Sequence, residues 1–325
     1  MRRREFITLL GGAAAWPLAA RAQQPAAPVI GFLSSSSSVE RARFVIAFQQ
    51  GIRETGYIVG QNVAIEYRWG QDQYDRLTGF AADLVRRQVA VIVAEDTPSA
   101  IAAKAATTQT PVVFGTGGDP VRDGLVASLN RPGANITGVS FLLAELGGKQ
   151  LGLLHELQPG AARIGVLVDP RVPISELFVS QVRTAASAIG QQIEVFNASN
   201  SRDIDTIFAS LVQKPIDALL VGPGSLTNNR RVQLVTLAAY HRVPAIYSLH
   251  ETAEVGGLMS YGTNLADAYR QIGVYTGRIL NGEKPANLPV IQSSKIEFVI
   301  NLNTAKAFGL TFPPTLLAIA DEIIE

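Results

Sequence analysis

Glycines and prolines recurring at a matched interval are the tightest constraint on this chain. Gly31 and Gly165, Gly56 and Gly190, and Pro111 and Pro244 are each separated by about 134 residues, an internal repeat that calls for two lobes of like topology. The seam between the halves is Thr110 to Phe141. There the apolar block Pro111 to Phe114 stops at Gly115-Thr116-Gly117-Gly118-Asp119-Pro120, and a second strand-like block, Ile136 to Phe141, follows the turn Arg131-Pro132-Gly133. With 325 residues, the chain is too long for one small core and suits two domains of ordinary size.

Each half alternates short apolar, β-branched blocks with stretches of helical periodicity. In the first half, strands are expected at Val29 to Leu33, Asn62 to Trp69 and Val89 to Ala94. Helices are expected at Val39 to Thr55, Tyr74 to Arg87 and Thr97 to Thr108, the last with Thr97 as N-cap and Pro98 at the first helical position. The second half repeats the plan with strands at Arg163 to Val168, Gln192 to Phe196, Ala218 to Val221 and Pro244 to Tyr247. Its helices are expected at Pro173 to Ile189, Ile204 to Gln213 and Leu226 to His241. Strand alternating with helix is the signature of an α/β fold with a doubly wound parallel sheet in each lobe. Downstream, a turn and strand at Glu254 to Gly262, a helix at Leu265 to Leu280, an extended segment at Leu288 to Asn301 and a last helix from Pro313-Pro314 to Glu325 lack a full set of strands for a third sheet. They are expected to return and complete both lobes. The first lobe then takes 23–141 plus about 257–295, and the second takes 142–256 plus about 296–325.

Composition removes several functions. No cysteine is present, so disulfides, thiolate metal sites and cysteine nucleophiles are excluded. His155, His241 and His250 lie far apart without metal-ligand spacing, and no metal or cofactor is expected. Net charge is +1 with scattered basic residues, which gives no nucleic-acid footprint. The start, Arg2-Arg3-Arg4-Glu5-Phe6-Ile7 followed by an Ala/Gly/Leu-rich run and Ala20-Arg21-Ala22, reads as an export signal over 1–22 cleaved after Ala22. Either a twin-arginine-like or a general secretory route fits it. The mature chain is then expected outside the cytoplasm.

Polar and small residues collect at the predicted carboxyl ends of the strands, where ligands bind in open α/β sheets because those loops are free of packing duty and face helix N-termini. In the first half these are Ser34 and Ser36, Asp96 and Thr97, and Thr116, Gly117 and Asp119; in the second they are Asp169, Ser225 and Tyr247, with Tyr261 in the return segment. Singly, Thr97, Asp169 and Ser225 serve equally well as caps or turn residues. Tyr247 and Tyr261 could stack on a flat ligand or pack at a rim. Neighbouring Glu95 and Asp96 could do acid–base work or cap a helix, and the cap is favoured because adjacent side chains point apart. Nucleotide-binding Gly-x-Gly-x-x-Gly, the P-loop pattern and Gly-x-Ser-x-Gly are all missing, and no strand end except that near His250 offers a histidine base.

Four stretches carry a family resemblance: Gly118-Asp119-Pro120-Val121 with Gly124-Leu125-Val126; Asn130-Arg131-Pro132-Gly133-Ala134-Asn135-Ile136-Thr137-Gly138; Gly256-Gly257-Leu258-Met259-Ser260-Tyr261-Gly262; and Val299-Ile300-Asn301-Leu302-Asn303-Thr304-Ala305-Lys306. Through them the chain resembles the periplasmic substrate-binding proteins of ABC transporters, in the branch that includes tryptophan-binding components. The resemblance implies the type I binding fold, two doubly wound lobes joined by three crossovers. It further implies capture of a small molecule, such as an amino acid or an aromatic or carboxylate compound, by a monomer that hands it to a membrane permease with its ATPase. No reaction is implied. For an amino acid it would set the carboxylate against Ser34, Ser36 and Thr97, the ammonium against Asp119 or Asp169, and the side chain against Tyr247 or Tyr261. Asp96 departs from the family pattern, which has a small residue there. Two rival functions fit the same lobes, a cleft enzyme and a ligand-sensing partner of a membrane receptor.

Overall fold

The computed structural model describes residues 27–325; the expected export signal lies outside them. The first lobe begins with β1 (Val29–Ser34), α1 (Ser38–Glu54), β2 (Ala64–Trp69), α2 (Arg76–Arg86), β3 (Val91–Ala94), α3 (Thr97–Ala106), β4 (Val112–Thr116) and β5 (Ile136–Ser140). The second runs through α4 (Gly147–Leu157), β6 (Arg163–Val168), α5 (Pro173–Ala188), β7 (Gln192–Asn197), α6 (Ser201–Ser210), β8 (Ala218–Val221), α7 (Ser225–Asn229), α8 (Arg231–Tyr240), β9 (Ala245–Tyr247), α9 (His250–Glu254) and β10 (Met259–Thr263). The return segment adds α10 (Leu265–Leu280), β11 (Ile291–Gln292), β12 (Ile296–Asn301), α11 (Leu302–Phe308), α12 (Pro314–Ala318) and β13 (Glu322–Ile324).

Two sheets result, ordered β11-β5-β4-β3-β1-β2 and β13-β12-β10-β9-β8-β6-β7. Central strands such as Val91–Ala94 and Ala218–Val221 are buried throughout, as expected for parallel strands covered on both faces. Alternate residues therefore feed two half-cores per lobe. Ile30, Phe32, Val91, Val93 and Val113 pack with α1 and α10, whereas Leu33, Ile92, Ala94, Val112 and Phe114 pack with α2 and α3. In the second lobe Ile164, Val166 and Leu220 meet α4 and α5, and Leu167, Leu219 and Val221 meet α6 and α8.

Helices α1 and α10 cross at closest approach through glycine. A Cβ on Gly51 would stand 1.9 Å from the Arg270 carbonyl oxygen, and one on Gly273 would stand 2.1 Å from that of Phe48. This contact hangs the return helix on the first lobe and brings its first turn to the interlobe cleft.

The structure revises the expected layout in four places. The stretch from 257 is expected in the first lobe, but β10 pairs parallel with β9 and antiparallel with β12, so it belongs to the second sheet and the crossover falls after Thr263. The expected helix from Leu226 to His241 breaks at Arg230, whose backbone (φ −98°, ψ 17°) leaves the helical region and separates α7 from α8. The last helix ends at Ala318 rather than Glu325; the β-branched tail Ile323-Ile324 adds a strand parallel to β12. Thr97 is not the N-cap of α3. That place belongs to Asp96, with Pro98 one residue further into the helix than expected.

Three chain crossings join the lobes, and they lie side by side. The Thr263 hydroxyl donates to the Phe141 carbonyl oxygen, Asn264 N–H to Lys295 O at 2.8 Å, and Ser293 N–H to Ser140 O at 2.9 Å.

Candidate functional site

The first-lobe wall of the cleft is built around the loop after β1. Ser34 Oγ donates to Glu95 Oε1 at 2.6 Å, and Ser35 donates through both N–H (2.9 Å) and Oγ–H (2.6 Å) to Asp96 Oδ2. From the other side the loop after β2 grips the same residues, with Gly70, Asp72 and Gln71 N–H groups donating to the carbonyls of Ser34, Ser35 and Ser36. Gln71 and Asp72 take φ values of 54° and 63° to do so, a conformation that side-chain-bearing residues adopt only when the surroundings enforce it. The serine run is thus a fixed surface.

Glu95 and Asp96 end β3 and do different things. Asp96 Oδ1 accepts from Ser99 N–H at 2.9 Å and caps α3, so its carboxylate takes the place at a helix amino end where an anion is otherwise held. Glu95 is fully buried, and accepts from the Ser34 and Tyr269 hydroxyls. Burial drives its pKa up to about 8; the Arg41 guanidinium, with Nε 3.3 Å from Oε1, pulls the other way, and the neighbouring Asp96 charge adds to the rise. Arg41 lies in the first turn of α1 with its side chain 5% exposed, and its Nε has no hydrogen-bond partner.

The second lobe brings the loop after β6 and the short helix α7 against this wall. Ser225 Oγ stands 2.8 Å from Ser35 Oγ. Ser36 Oγ donates to Asn229 Oδ1 at 2.6 Å, and Asn229 Nδ2 donates to Asp72 Oδ1 at 2.6 Å. Tyr74 OH donates to Asp169 Oδ2 at 3.1 Å, and Arg231 pairs with Glu40 at 2.5 Å. The lobes are therefore in contact across the cleft.

Between them lies a cavity of about 50 Å³ with a charged end and an apolar wall. Arg41, Glu95, Asp96, Thr97, Ser225 and Asn228 form the polar part; Phe141, Leu143, Val172, Ile174, Leu265 and Tyr269 form the apolar part. Phe141 and Leu143 leave on one crossover and Leu265 starts the helix after another, so part of the wall is the hinge itself. Arg41 and Asn228 also border an adjoining cavity of about 280 Å³ that is lined by Glu40, Arg43, Arg231, Glu251 and Glu254. Pockets for small ligands run to several hundred Å³. A ligand of amino-acid size therefore enters with the lobes apart, and the lobes can close on it where the two spaces join past Arg41 and Asn228.

Of the residues picked from strand ends, Asp96, Thr97, Gly117 and Ser225 line the cavity. The others stand elsewhere. Ser34 and Ser36 are buried in the hydrogen bonds above, and Thr116 Oγ1 lies behind Thr97 Oγ1 at 2.7 Å. Asp119 accepts from Val121 and Arg122 N–H groups and closes the turn after β4. Asp169 is 1% exposed and engaged by Arg171 at 2.7 Å. Tyr247 belongs to the core packed against α6 and α8, where burial raises its pKa. Tyr261 meets Phe298 edge-on. Sequence reasoning missed Arg41, because Glu40-Arg41-Ala42-Arg43 reads as an ordinary solvated first turn. It also missed Tyr269, whose helical spacing with Leu265 and Ile272 reads as core; Tyr269 is both, since its ring stacks on Phe44 and Phe141 while its hydroxyl reaches Glu95.

Among the described residues no cluster of His, Asp or Glu suits a metal ion, and no helix is long and apolar enough to cross a membrane. Compared with known proteins, residues 29–324 match the family described as ABC transporter substrate binding protein. The tyrosine-binding protein of Clostridioides difficile (strain R20291) is 28% identical over 263 residues, 81% of this chain and 75% of that protein. An ABC domain from Streptococcus pneumonia crystallised in complex with L-Trp is 27% identical, with a TM-score of 0.84 over 91% of this chain and 99% of its own. The ligand-free, open structure of a Clostridium difficile substrate binding protein with adhesive properties is 26% identical, covers 92% of this chain and 99% of its own, and scores 0.67. The better match to the liganded structure agrees with lobes that touch across the cleft.

Proposed function

This chain belongs to the ABC transporter substrate binding protein family, and from that premise we propose that it captures an amino acid with an aromatic or other large apolar side chain between its lobes and delivers it to a membrane permease. The observation that carries the reading is the two-ended cavity. Its apolar wall of Phe141, Leu143, Val172, Ile174, Leu265 and Tyr269 suits a hydrophobic side chain, and the Asp96 carboxylate at the other end, with Glu95 beside it, suits an ammonium group. Relatives named for binding tyrosine or crystallised with L-Trp support the same class. The ammonium site is here assigned to the end of β3, in place of Asp119 or Asp169, which lie outside the cavity lining. Ligand contact with both lobes favours the closed arrangement, since only there are Thr97 and Ser225 within reach of one molecule. The protein works in the periplasm, after export, as a monomer beside a permease and its ATPase, and performs no chemistry on its ligand.

The test is a thermal-shift screen of the chain from Gln23 against the twenty amino acids, aromatic acids and aromatic amines, followed by mass analysis of the ligand after release. A ligand that binds only the folded form raises the melting temperature by mass action. Stabilisation by aromatic or large apolar amino acids, recovered unchanged, is the expected result. Stabilisation only by other classes, or recovery of an altered compound, would overturn the reading.

A further inference from the structure

Arg41 sits beside Glu95 but leaves most of its hydrogen-bonding fork unused inside the protein. The residue is 4% exposed, Nε has no hydrogen-bond partner, and among the described residues its guanidinium donates no hydrogen bond; its contacts are the 3.3 Å approach to Glu95 and the Phe44 ring, 5.6 Å away. A buried guanidinium carries five N–H donors in a fixed fork, and burying donors unpaired is costly. The fork borders both the interlobe cavity and the space beside it. Meanwhile the other place where a carboxylate could dock is taken. Asp96 already accepts from Ser35 N–H, Ser35 Oγ–H and Ser99 N–H, and Pro98 in the first turn of α3 has no N–H to offer. An anion brought there would meet the Asp96 charge.

We infer that Arg41 is the residue that selects for a carboxylate on the ligand, receiving it on the free edge of the guanidinium, whereas the serine loop and the amino end of α3 bind the protein's own Asp96. The inference rests on the amino-acid reading above and names the group that recognises the acid end. Planar two-point pairing of guanidinium and carboxylate fits the geometry, because the Glu95 contact leaves the rest of the fork unused. The ligand's ammonium then lies toward Glu95 and Asp96, and its side chain along the hinge wall.

The experiment is calorimetry with four probes, L-tryptophan, L-tyrosine, tryptamine and tyramine, on the wild type, Arg41→Met and Arg41→Lys. In the wild type each amino acid should bind more tightly than the amine that lacks its carboxylate. In Arg41→Met, affinity for the amino acids should fall on the order of 100-fold, with the amines changed little, so that the preference vanishes. Arg41→Lys should restore part of it. Since Arg41→Met leaves the buried Glu95 without the guanidinium beside it, the double variant Arg41→Met/Glu95→Gln is measured alongside, and its melting temperature reports whether the fold is kept. A preference for the amino acid that survives in the folded Arg41 variants overturns the inference and leaves the amino-acid reading standing. So does a wild type that binds acid and amine alike. A wild type that binds amines only, or none of the four, overturns the assignment together with the reading on which it rests.

Discussion

Glu95 ties the ends of β1 and β3 to α1 and α10 at the floor of the cleft, and its environment makes a pH-dependent contribution to stability. Desolvation, opposed by Arg41 and reinforced by Asp96, lifts its pKa from an ordinary 4.5 to about 8, while Ser34 and Tyr269 donate to it. Between those two values the folded protein keeps a proton that the unfolded chain has lost. Unfolding then releases a proton, so stability falls as pH rises through the window, and this contribution is flat below 4.5 and above 8. Glu95→Gln, which does not titrate, should remove that part of the slope. Urea midpoints at several pH values from acid to mildly alkaline, for wild type and variant, measure it. Parallel pH profiles would show that Glu95 is already ionised in the fold. The other half-buried acids that burial pushes upward, such as Asp123 at about 6, act in both proteins and cancel in the difference. Of this residue's role the sequence disclosed only the dipeptide Glu95-Asp96 at a strand end. Which carboxylate caps and which is buried depends on Tyr269 and Arg41, from helices far apart in the chain, and no local pattern announces such a meeting.

At the scale of elements, legibility followed the range of the interaction. The buried strands Val91–Ala94, Val112–Thr116 and Ala218–Val221 stand out as short β-branched runs closed by polar residues, and the matched glycines and prolines give the second lobe from the first. The antiparallel β10–β12 pair and the β13 edge strand do not stand out, since pairing partners lie about 40 and 20 residues away and short apolar segments do not declare their neighbours. The α1–α10 contact is similar: two glycines, Gly51 and Gly273, each look like a blemish in a helix until the other helix is laid across them. Gly273→Ala would drive a Cβ to within 2.1 Å of the Phe48 carbonyl oxygen and 3.0 Å of Gly51 Cα, both backbone atoms that cannot swing away. Overpacking of this kind costs about 1–3 kcal/mol. Since α10 also carries Leu265 and Tyr269 into the cavity, the same variant should weaken ligand binding. Chemical denaturation checks the first effect and calorimetry the second. A variant as stable as wild type would show that the two helices can separate freely and that their contact does not fix the hinge side of the cleft.

Across the whole molecule, the polar contacts that bridge the closed lobes differ in worth. Arg43–Glu254, at 3.1 Å, and Arg122–Glu176, at 3.2 Å, are largely exposed ion pairs, which are worth little and are screened by salt. Asn229 is better placed. It receives a hydrogen bond from Ser36 at 2.6 Å and gives one to Asp72 at 2.6 Å, and burial raises the pKa of that aspartate, with the Asn229 bond acting to lower it. Asn229→Ala removes the two cross-cleft bonds that this residue makes and leaves the Asp72 carboxyl half-buried without its second-lobe hydrogen bond, so the closed arrangement should lose about 1–3 kcal/mol relative to the open one. Nothing within either lobe changes, and thermal stability of the separate cores should hold. The open-to-closed ratio then rises about 5- to 150-fold, and apparent ligand affinity falls by whatever factor the closed, competent fraction shrinks. Small-angle scattering distinguishes this from a local defect at the site. The unliganded variant should be more extended than wild type, and saturating ligand should return it to the wild-type liganded dimensions. Scattering curves that coincide without ligand would mean that Asn229 does not set the lobe angle, which is then held by the remaining contacts, Ser35–Ser225, Tyr74–Asp169 and Arg231–Glu40, and by the hinge crossovers at Phe141, Thr263 and Ser293.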